Sequence, residues 1–480
     1  MAEENQFFRP IREFCQRKVV SCAEGDALVD IVARMREHGI SCVVVLEAGH
    51  PKGILTDRDL RNKVVATGTS PSSLTVGDVM TSPVVTVSEH DVLYEALYRI
   101  SRHNIHRLVV TDQAGALAGI ITVTDILRLQ AHSPHQLVVD IEKADSVDTL
   151  RDLHRRVQRL IVHLSGTGIA IRDMVKLIAN LNDQILIRLI ELLRREKYPG
   201  LTNDFAFVVM GSEGRGEQTL STDQDNAIIH ADSVEGGALQ QLEAFSIDLI
   251  DALISIGIPA CPGGIMAKNP PWRRSASAWK MELTRWLSTP SPENVMTGSM
   301  FMDLRPLYGR RELADALRDH ALHYMSQEPV FLVRMVQNMT RFAPPLGWFG
   351  RILTEKSGPY RGMVDVKKAG IFAITDGIKA LAMESRCLDG STHDRMEALV
   401  EKGVLMADQM ADLRAAFDFL VLKRLQGQVA ALRAGAAPNN YVALDQLNAM
   451  EQGELRLALQ GVGHFQRFMH HHFKLHLMRN

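Results

Sequence analysis

Residues 204–230 read DFAFVVMGSEGRGEQTLSTDQDNAIIH: an apolar run, a glycine-serine turn, then two aspartates one residue apart leading into a second apolar run. A turn of small residues after a buried strand leaves backbone N–H groups free to face phosphate oxygens. In an extended segment residues i and i+2 share a face, so Asp223 and Asp225 project two carboxylates together. Hard oxygen donors of that kind suit Mg2+, and a pair of them can hold two ions around an in-line displacement at phosphorus. Gly211, Ser212, Asp223 and Asp225 therefore predict a site for a nucleoside triphosphate with two Mg2+ ions. The order Gly211-x-x-Gly214-x-Gly216 is not the G-x-G-x-x-G of a dinucleotide loop, and the lysine of a P-loop is missing.

The string G-S-E-G-R-G-E-x(5)-D-x-D resembles the DNA-polymerase-β-like nucleotidyltransferase superfamily, and within it the branch related to the uridylyltransferase of the nitrogen-regulatory PII protein. The resemblance implies that Gly211 and Ser212 hold the β- and γ-phosphates and that Asp223 and Asp225 are metal ligands. It also implies a third carboxylate from a separate strand, for which Asp303 in SMFMDLRPLYG is the candidate. A lone acid between apolar residues is costly without a partner, so a salt bridge to Arg305 or another buried base is the alternative. Arg215 can pair with a phosphate oxygen or order the loop through Glu217. In GIPACPGGIMAKNPPWRRS (257–275), a strand followed by a Gly/Pro-rich loop, Lys268, Asn269 and Arg273 either approach the triphosphate or base or belong to a solvated loop.

The first 130 residues repeat. PKGILTDRDLR (51–61) aligns with LAGIITVTDILR (117–128), and VVSCAEGDALVDI (19–31) with VVTVSEHDVLYEA (84–96). Each copy reads strand, helix, strand, turn, strand, helix. The pair resembles tandem cystathionine-β-synthase (CBS) domains, both copies keeping G-I-x-T-x-x-D. That family implies that Thr56 and Asp59, and Thr122 and Asp125, contact the phosphate and ribose hydroxyls of an adenine nucleotide. A hydroxyl donor suits a phosphate and a carboxylate suits a ribose. The same residues also suit helix N-termini, and simple capping is the other reading.

The elements that must position these groups follow from the remaining pattern. VDTLRDLHRRVQRLIVHL and ILIRLIELLRREKY carry apolar residues at helical spacing until YPG ends them at 198–200. From about 330 onward the stripes are again helical, with DVKKAG, FDFLVLKRLQGQ and LDQLNAM resembling the helical part after the catalytic core in the same relatives. The expected fold class is multidomain α/β and α: a tandem CBS α/β module at 8–133 (copies at about 8–70 and 75–133), a helical linker at 134–199, a polymerase-β-like nucleotidyltransferase α/β domain at 200–310 and a C-terminal helical bundle at 311–480. His470, His471, His472 and His476 read as a surface helix rather than a metal site, and His393-Asp394 as a helix cap rather than part of a His-Asp phosphohydrolase.

A net charge of −2 gives no electrostatic case for nucleic acid or a membrane surface. No run of roughly 18 apolar residues appears, MAEENQFF lacks the features of a secretory signal, and the five scattered cysteines suit reduced thiols. A cytoplasmic protein, homodimeric by resemblance to stacked CBS pairs, is expected. The expected reaction transfers a nucleoside monophosphate to an acceptor hydroxyl, possible on a protein, under adenine-nucleotide control. The rival is a non-catalytic nucleotide sensor that controls a partner.

Overall fold

The computed structural model describes residues 10–103, 105–125, 134–166, 168–221 and 223–477, and the chain divides into two compact units, Met1–Gln136 and Leu137–Asn480. The segment MAEENQFF and the second copy's helix from residue 126 to 130 lie outside the described residues.

In the first unit the repeat becomes two copies of one three-stranded sheet. Strands β1 (Ser21–Ala23), β2 (Cys42–Glu47) and β3 (His50–Thr56) lie in the order β1-β2-β3, with helix α1 (Leu28–Glu37) between the first two. Strands β4 (Thr86–Ser88), β5 (Arg107–Thr111) and β6 (Leu117–Thr122) repeat that order around α2 (Leu93–His103). The pairing follows the sequence repeat: Ser21 opposes Val44 as Thr86 opposes Val109, and Cys42 opposes Thr56 as Arg107 opposes Thr122. Val44, Val109 and Ile120 form a small apolar cluster shared by the two copies.

The second unit is built on a four-stranded sheet, β7 (Phe205–Val209), β8 (Asn226–His230), β9 (Arg273–Ser275) and β10 (Arg305–Gly309), ordered β10-β7-β8-β9. β7 runs antiparallel to both neighbours, while β8 and β9 are parallel. Every residue of β7 and β8 is buried, as expected for strands covered on both faces. Phe205, Phe207, Val209 and Ile228 face α3 (Val147–Leu164), α4 (Ile171–Glu196) and α5 (Gly236–Ile256). Ala206, Val208, Ala227 and Ile229 face Trp272, Trp279, Trp286 and Phe301, which come from the turn before β9 and from α6 (Ala276–Ser288) and α7 (Pro292–Phe301). Helices α8 (Arg311–Gln327), α9 (Val330–Met339), α10 (Phe372–Glu384), α11 (Thr392–Glu401), α12 (Ala407–Arg433) and α13 (Ala449–His472) complete the unit.

Three expectations change. The helices read as a linker at 134–199 share one apolar core with the sheet and the C-terminal helices, through residues such as Leu153, Leu160, Ile185 and Leu189. In 257–275 the strand is β9 at the end, because the opening residues make only a single bridge, Gln224 to Ala260. The C-terminal third is not purely helical: β11 (Met363–Asp365) and β12 (Tyr441–Ala443) pair as an antiparallel ribbon.

Candidate active site

The antiparallel register sets Val209, the last residue of β7, opposite Asn226, the first residue of β8. The residues after β7 and those before β8 therefore meet at one end of the sheet, bringing Gly211 and Ser212 beside Asp223 and Asp225. The Met210 N–H donates to the Asp225 carbonyl oxygen at 2.8 Å and closes this junction. Gly211 to Gly214 then forms one helical turn without a side-chain cap, and first-turn N–H groups have no partner inside a helix. Gly211 has φ +57, and a Cβ there would stand 3.0 Å from Asp225 Oδ2, so both conformation and space require glycine.

The aspartates lie in the extended approach to β8 rather than on it. Burial raises the Asp225 pKa, with Asp223 adding like-charge repulsion and a hydrogen bond from Cys261 opposing the shift. Burial and Asp225 push the Cys261 thiol up to about 11. Two cations that the sequence reading did not single out lie within electrostatic reach of these aspartates. Lys367 opens the π-helical turn Lys367–Ile371 before α10, and Arg424 lies on α12, 8% exposed. Burial depresses the Lys367 pKa, assisted by Arg424 and opposed by Asp223 and Asp225. Burial likewise lowers that of Arg424 to about 10, with Asp223 opposing. Among the described residues Asp223, Asp225, Lys367 and Arg424 make no ion pair within 4.0 Å, although the two signs sense each other. The available signal was an arginine amid the apolar residues Leu420, Val421 and Leu425 of a buried helix face.

Asp303 is placed differently from its expectation. It lies in the turn between α7 and β10, its side chain fully enclosed, and it does not join the aspartate pair. Oδ2 accepts from Arg215 Nη1 at 2.6 Å and pairs with Lys379 Nζ at 2.7 Å, while Oδ1 accepts from Arg395 Nη1 at 2.7 Å. Burial alone would raise its pKa, but Lys379, Arg215 and Arg395 outweigh burial and hold it well below the carboxylate range. The alternative of a buried salt bridge is therefore the one observed, with other bases than Arg305, which forks onto Asp183 at 2.8 and 3.0 Å. Among the described residues no group of three or more His, Cys, Asp or Glu side chains is arranged to hold a metal ion. β9, the strand beside β8, carries Arg273, Arg274 and Ser275 and no acid.

Arg215 is likewise committed within the protein, to Asp303 and to Glu217 at 2.7 Å, and Glu217 accepts the Thr392 N–H at the start of α11. It orders the loop, and the structure does not aim it at the phosphate position. Lys268 pairs with Asp251 on α5 at 3.0 Å. Asn269 donates to the Gly264 carbonyl, and Arg273 to Ser246 and two carbonyl oxygens. These three residues fasten the loop rather than joining the aspartates. His393 bonds Asp418 at 2.8 Å, and Asp394 forms a capping box with Ser391.

In the first unit each T-x-x-D motif closes a capping box. Thr56 N–H and Oγ1 donate to Asp59 Oδ2 at 3.0 and 2.5 Å, and Thr122 makes the same pair of bonds to Asp125 at 3.0 and 2.6 Å. Asp59 is buried and its second oxygen accepts from Thr81 at 2.7 Å, whereas Asp125 is half-exposed and takes Gln16 at 3.0 Å.

Comparison with known proteins agrees with this division. Residues 11–66 and 76–132 match the CBS domain, 155–293 match "Putative nucleotidyltransferase DUF294", and 329–473 match "Putative nucleotidyltransferase substrate binding domain". An uncharacterized protein of Methanopyrus kandleri is 38% identical over 134 residues, which is 28% of this chain and 66% of that protein. The mitochondrial CBS domain-containing protein CBSX3 of Arabidopsis thaliana is 28% identical over 116 residues, 23% of this chain and 56% of that one. The chain thus spans about two thirds or less of the length of these curated relatives. A solved CBS domain of a CBS domain-containing membrane protein from Sphaerobacter thermophilus is 32% identical, with a TM-score of 0.23, over 26% of this chain and 89% of that one. No helix among the described residues is long and apolar enough to cross a membrane. The chain is a CBS domain pair followed by a domain of the DUF294 nucleotidyltransferase family and that family's C-terminal substrate-binding domain.

Proposed function

We propose that the chain transfers a nucleoside monophosphate from a nucleoside triphosphate to an acceptor hydroxyl, on a protein or a smaller molecule, with release of pyrophosphate. The observation that carries the reading is charge of both signs without ion pairs beside the glycine turn: Asp223 and Asp225 come from the approach to β8, and Lys367 and Arg424, from the helical part, lie within their electrostatic reach. A triphosphate with bound divalent cations complements both signs at once, the cations meeting the aspartates and the phosphates meeting Lys367 and Arg424. The donor set fits Mg2+, since two hard oxygen ligands stand together and burial leaves Asp225 short of positive charge. When bound, Mg2+ supplies charge neutralisation at the triphosphate.

In this reading the N–H groups of Gly211 and Ser212 hold the terminal phosphates, and Lys367 and Arg424 take up charge on the departing pyrophosphate. The acceptor oxygen forms a bond to the α-phosphorus as the bond to the β-phosphate oxygen breaks. Arg215, Asp303, Lys379 and Arg395 fix the loop from behind. The CBS pair would take an adenine nucleotide at Thr56 and Asp59 or Thr122 and Asp125. The half-exposed Asp125 is the better ribose partner, because Asp59 is buried beneath Thr81. Such a ligand controls transfer only through different affinities for two states of the chain. A dimer through the CBS pairs belongs to the same proposal.

The enclosure of Asp303, which leaves two carboxylates where the polymerase-β-like site uses three, favours a second reading as a nucleotide-binding sensor without catalysis. The protein should be incubated with each α-labelled triphosphate, Mg2+ and a lysate of its host, beside Asp223→Asn/Asp225→Asn. Label on one acceptor, absent with the double variant, is the expected result. Triphosphate binding with label on nothing would replace the transferase with the sensor.

A further inference from the structure

We propose that the half-open cavity beside Asp223 is a nucleobase pocket, which takes the flat, uncharged end of the triphosphate substrate. This rests on the triphosphate reading above and adds the ligand's other end to it. The cavity has a volume of about 410 Å3, and no lysine or arginine lines it, so it offers nothing to a phosphate. Its polar lining combines three acids, Asp183, Glu213 and Asp223, with uncharged hydrogen-bonding groups from α3, α4 and the segment leading into β8, among them His154, Gln158 and Asn182. Leu186, Leu253 and Ile258 supply apolar walls. Apolar faces with a few fixed polar edges are what a heterocycle bearing carbonyl, ring-nitrogen and amino groups requires.

Some of that hydrogen-bonding capacity is spent within the protein, where Asn182 donates to Gln218 at 3.3 Å and Gln218 to Glu213 at 2.7 Å. Two atoms are left over. Among the described residues His154 Nδ1 and Glu213 Oε2, on side chains each only 7% exposed, have no hydrogen-bond partner. Buried polar atoms are rarely left so without a ligand or water to meet them. His154 Nε2 meets the Gln158 amide at 3.2 Å, and burial lowers the ring's pKa to about 4, so the imidazole is neutral and pairs like an amide edge. Asp223 lines the same cavity, which sets this end of the ligand against the proposed phosphate end.

Equilibrium binding of the four free nucleosides to the full chain, beside Mg2+ with inorganic tripolyphosphate, tests the pocket apart from the phosphate site. The expected result is that one nucleoside binds, that His154→Leu weakens it at least tenfold, and that tripolyphosphate affinity stays within twofold. Gln158→Leu, on the half-buried neighbour, should act in the same direction and covers the case in which the first variant fails to fold. Binding that survives both substitutions belongs elsewhere in the chain. If all nucleoside binding survives, or none exists, the cavity holds water only and the inference is wrong. Loss of Mg2+-dependent tripolyphosphate binding in the unsubstituted protein would instead sink the triphosphate reading, leaving nucleoside binding to be judged by itself.

Discussion

Replacing Asp303 by Asn separates a structural charge from a catalytic one. The carboxylate is fully enclosed and faces Arg215, Lys379 and Arg395 at 2.6 to 2.7 Å. After substitution Arg215 keeps Glu217 at 2.7 Å and Lys379 keeps Asp376 at 3.1 Å. Arg395 keeps only the Leu388 carbonyl, since among the described residues Asp303 is its sole acidic partner. One buried cation is therefore left without an anion, a change that costs about 3–5 kcal/mol. Against a typical domain stability of about 5–15 kcal/mol, that is a fifth or more of the total. All four tryptophans (272, 279, 286 and 348) belong to the second unit, so urea unfolding followed by tryptophan emission reports on this unit alone. Asp303→Asn should lower the unfolding free energy by about 3–5 kcal/mol, and adding Arg395→Met should restore part of it, because removing both members of a buried pair is nearly neutral. The sign with pH follows the same logic. Asp303 has a depressed pKa when folded, so its contribution is complete above the unfolded carboxylate value of about 3.9 and is lost only as pH falls through the lower folded value. If Asp303→Asn melts within about 1 kcal/mol of the unsubstituted protein yet loses Mg2+-dependent nucleotide binding, the carboxylate is a metal ligand and this reasoning fails.

Gly214→Ala places a Cβ 1.9 Å from the Asp303 carbonyl oxygen, and should destabilise the second unit by at least the upper end of the roughly 1–3 kcal/mol typical of overpacking, read by the same emission melt. Lys367→Gln and Arg424→Gln should each weaken Mg2+-tripolyphosphate binding by about ten- to a hundredfold, the worth of one charge-assisted hydrogen bond at about 1.5–3 kcal/mol. Arg424→Gln should leave the melt unchanged or raised, because burial of the guanidinium is offset only by a hydrogen bond to Asn440 at 2.7 Å, with no ion pair among the described residues. His154 is neutral when folded, with a pKa of about 4, and takes a proton below about 6.5 when unfolded. Its contribution is complete above pH about 6.5 and declines toward pH about 4, so lowering pH from 7 to 5 should cost about 2 kcal/mol that His154→Leu does not lose.

What could be read from the sequence and what could not divide along a physical line. The CBS copies were legible because a repeat preserves its own pairing, and the strand registers of the two sheets correspond residue for residue on either side of their hairpin turns. The glycine turn and the aspartates were legible because both ends of one antiparallel pair lie within a few residues of the motif. The linker reading failed because amphipathic spacing in 134–199 shows that a face is buried without showing what it is buried against. Asp303 and Arg215 were hardest. A single acid in an apolar run has one signature whether it binds metal or closes an ion network, and its partner Arg395 lies 92 residues away in sequence. Only the tertiary structure shows which buried charges are matched. Asp303 meets three cations, whereas among the described residues Asp223, Asp225, Lys367 and Arg424 make no ion pair although the two signs sense each other. Unmatched charge in a crowded site costs stability in the free protein, and a ligand carrying both signs removes that cost. The completeness of pairing, more than burial or residue type, distinguishes the groups that hold this unit together from those that the proposed triphosphate would meet.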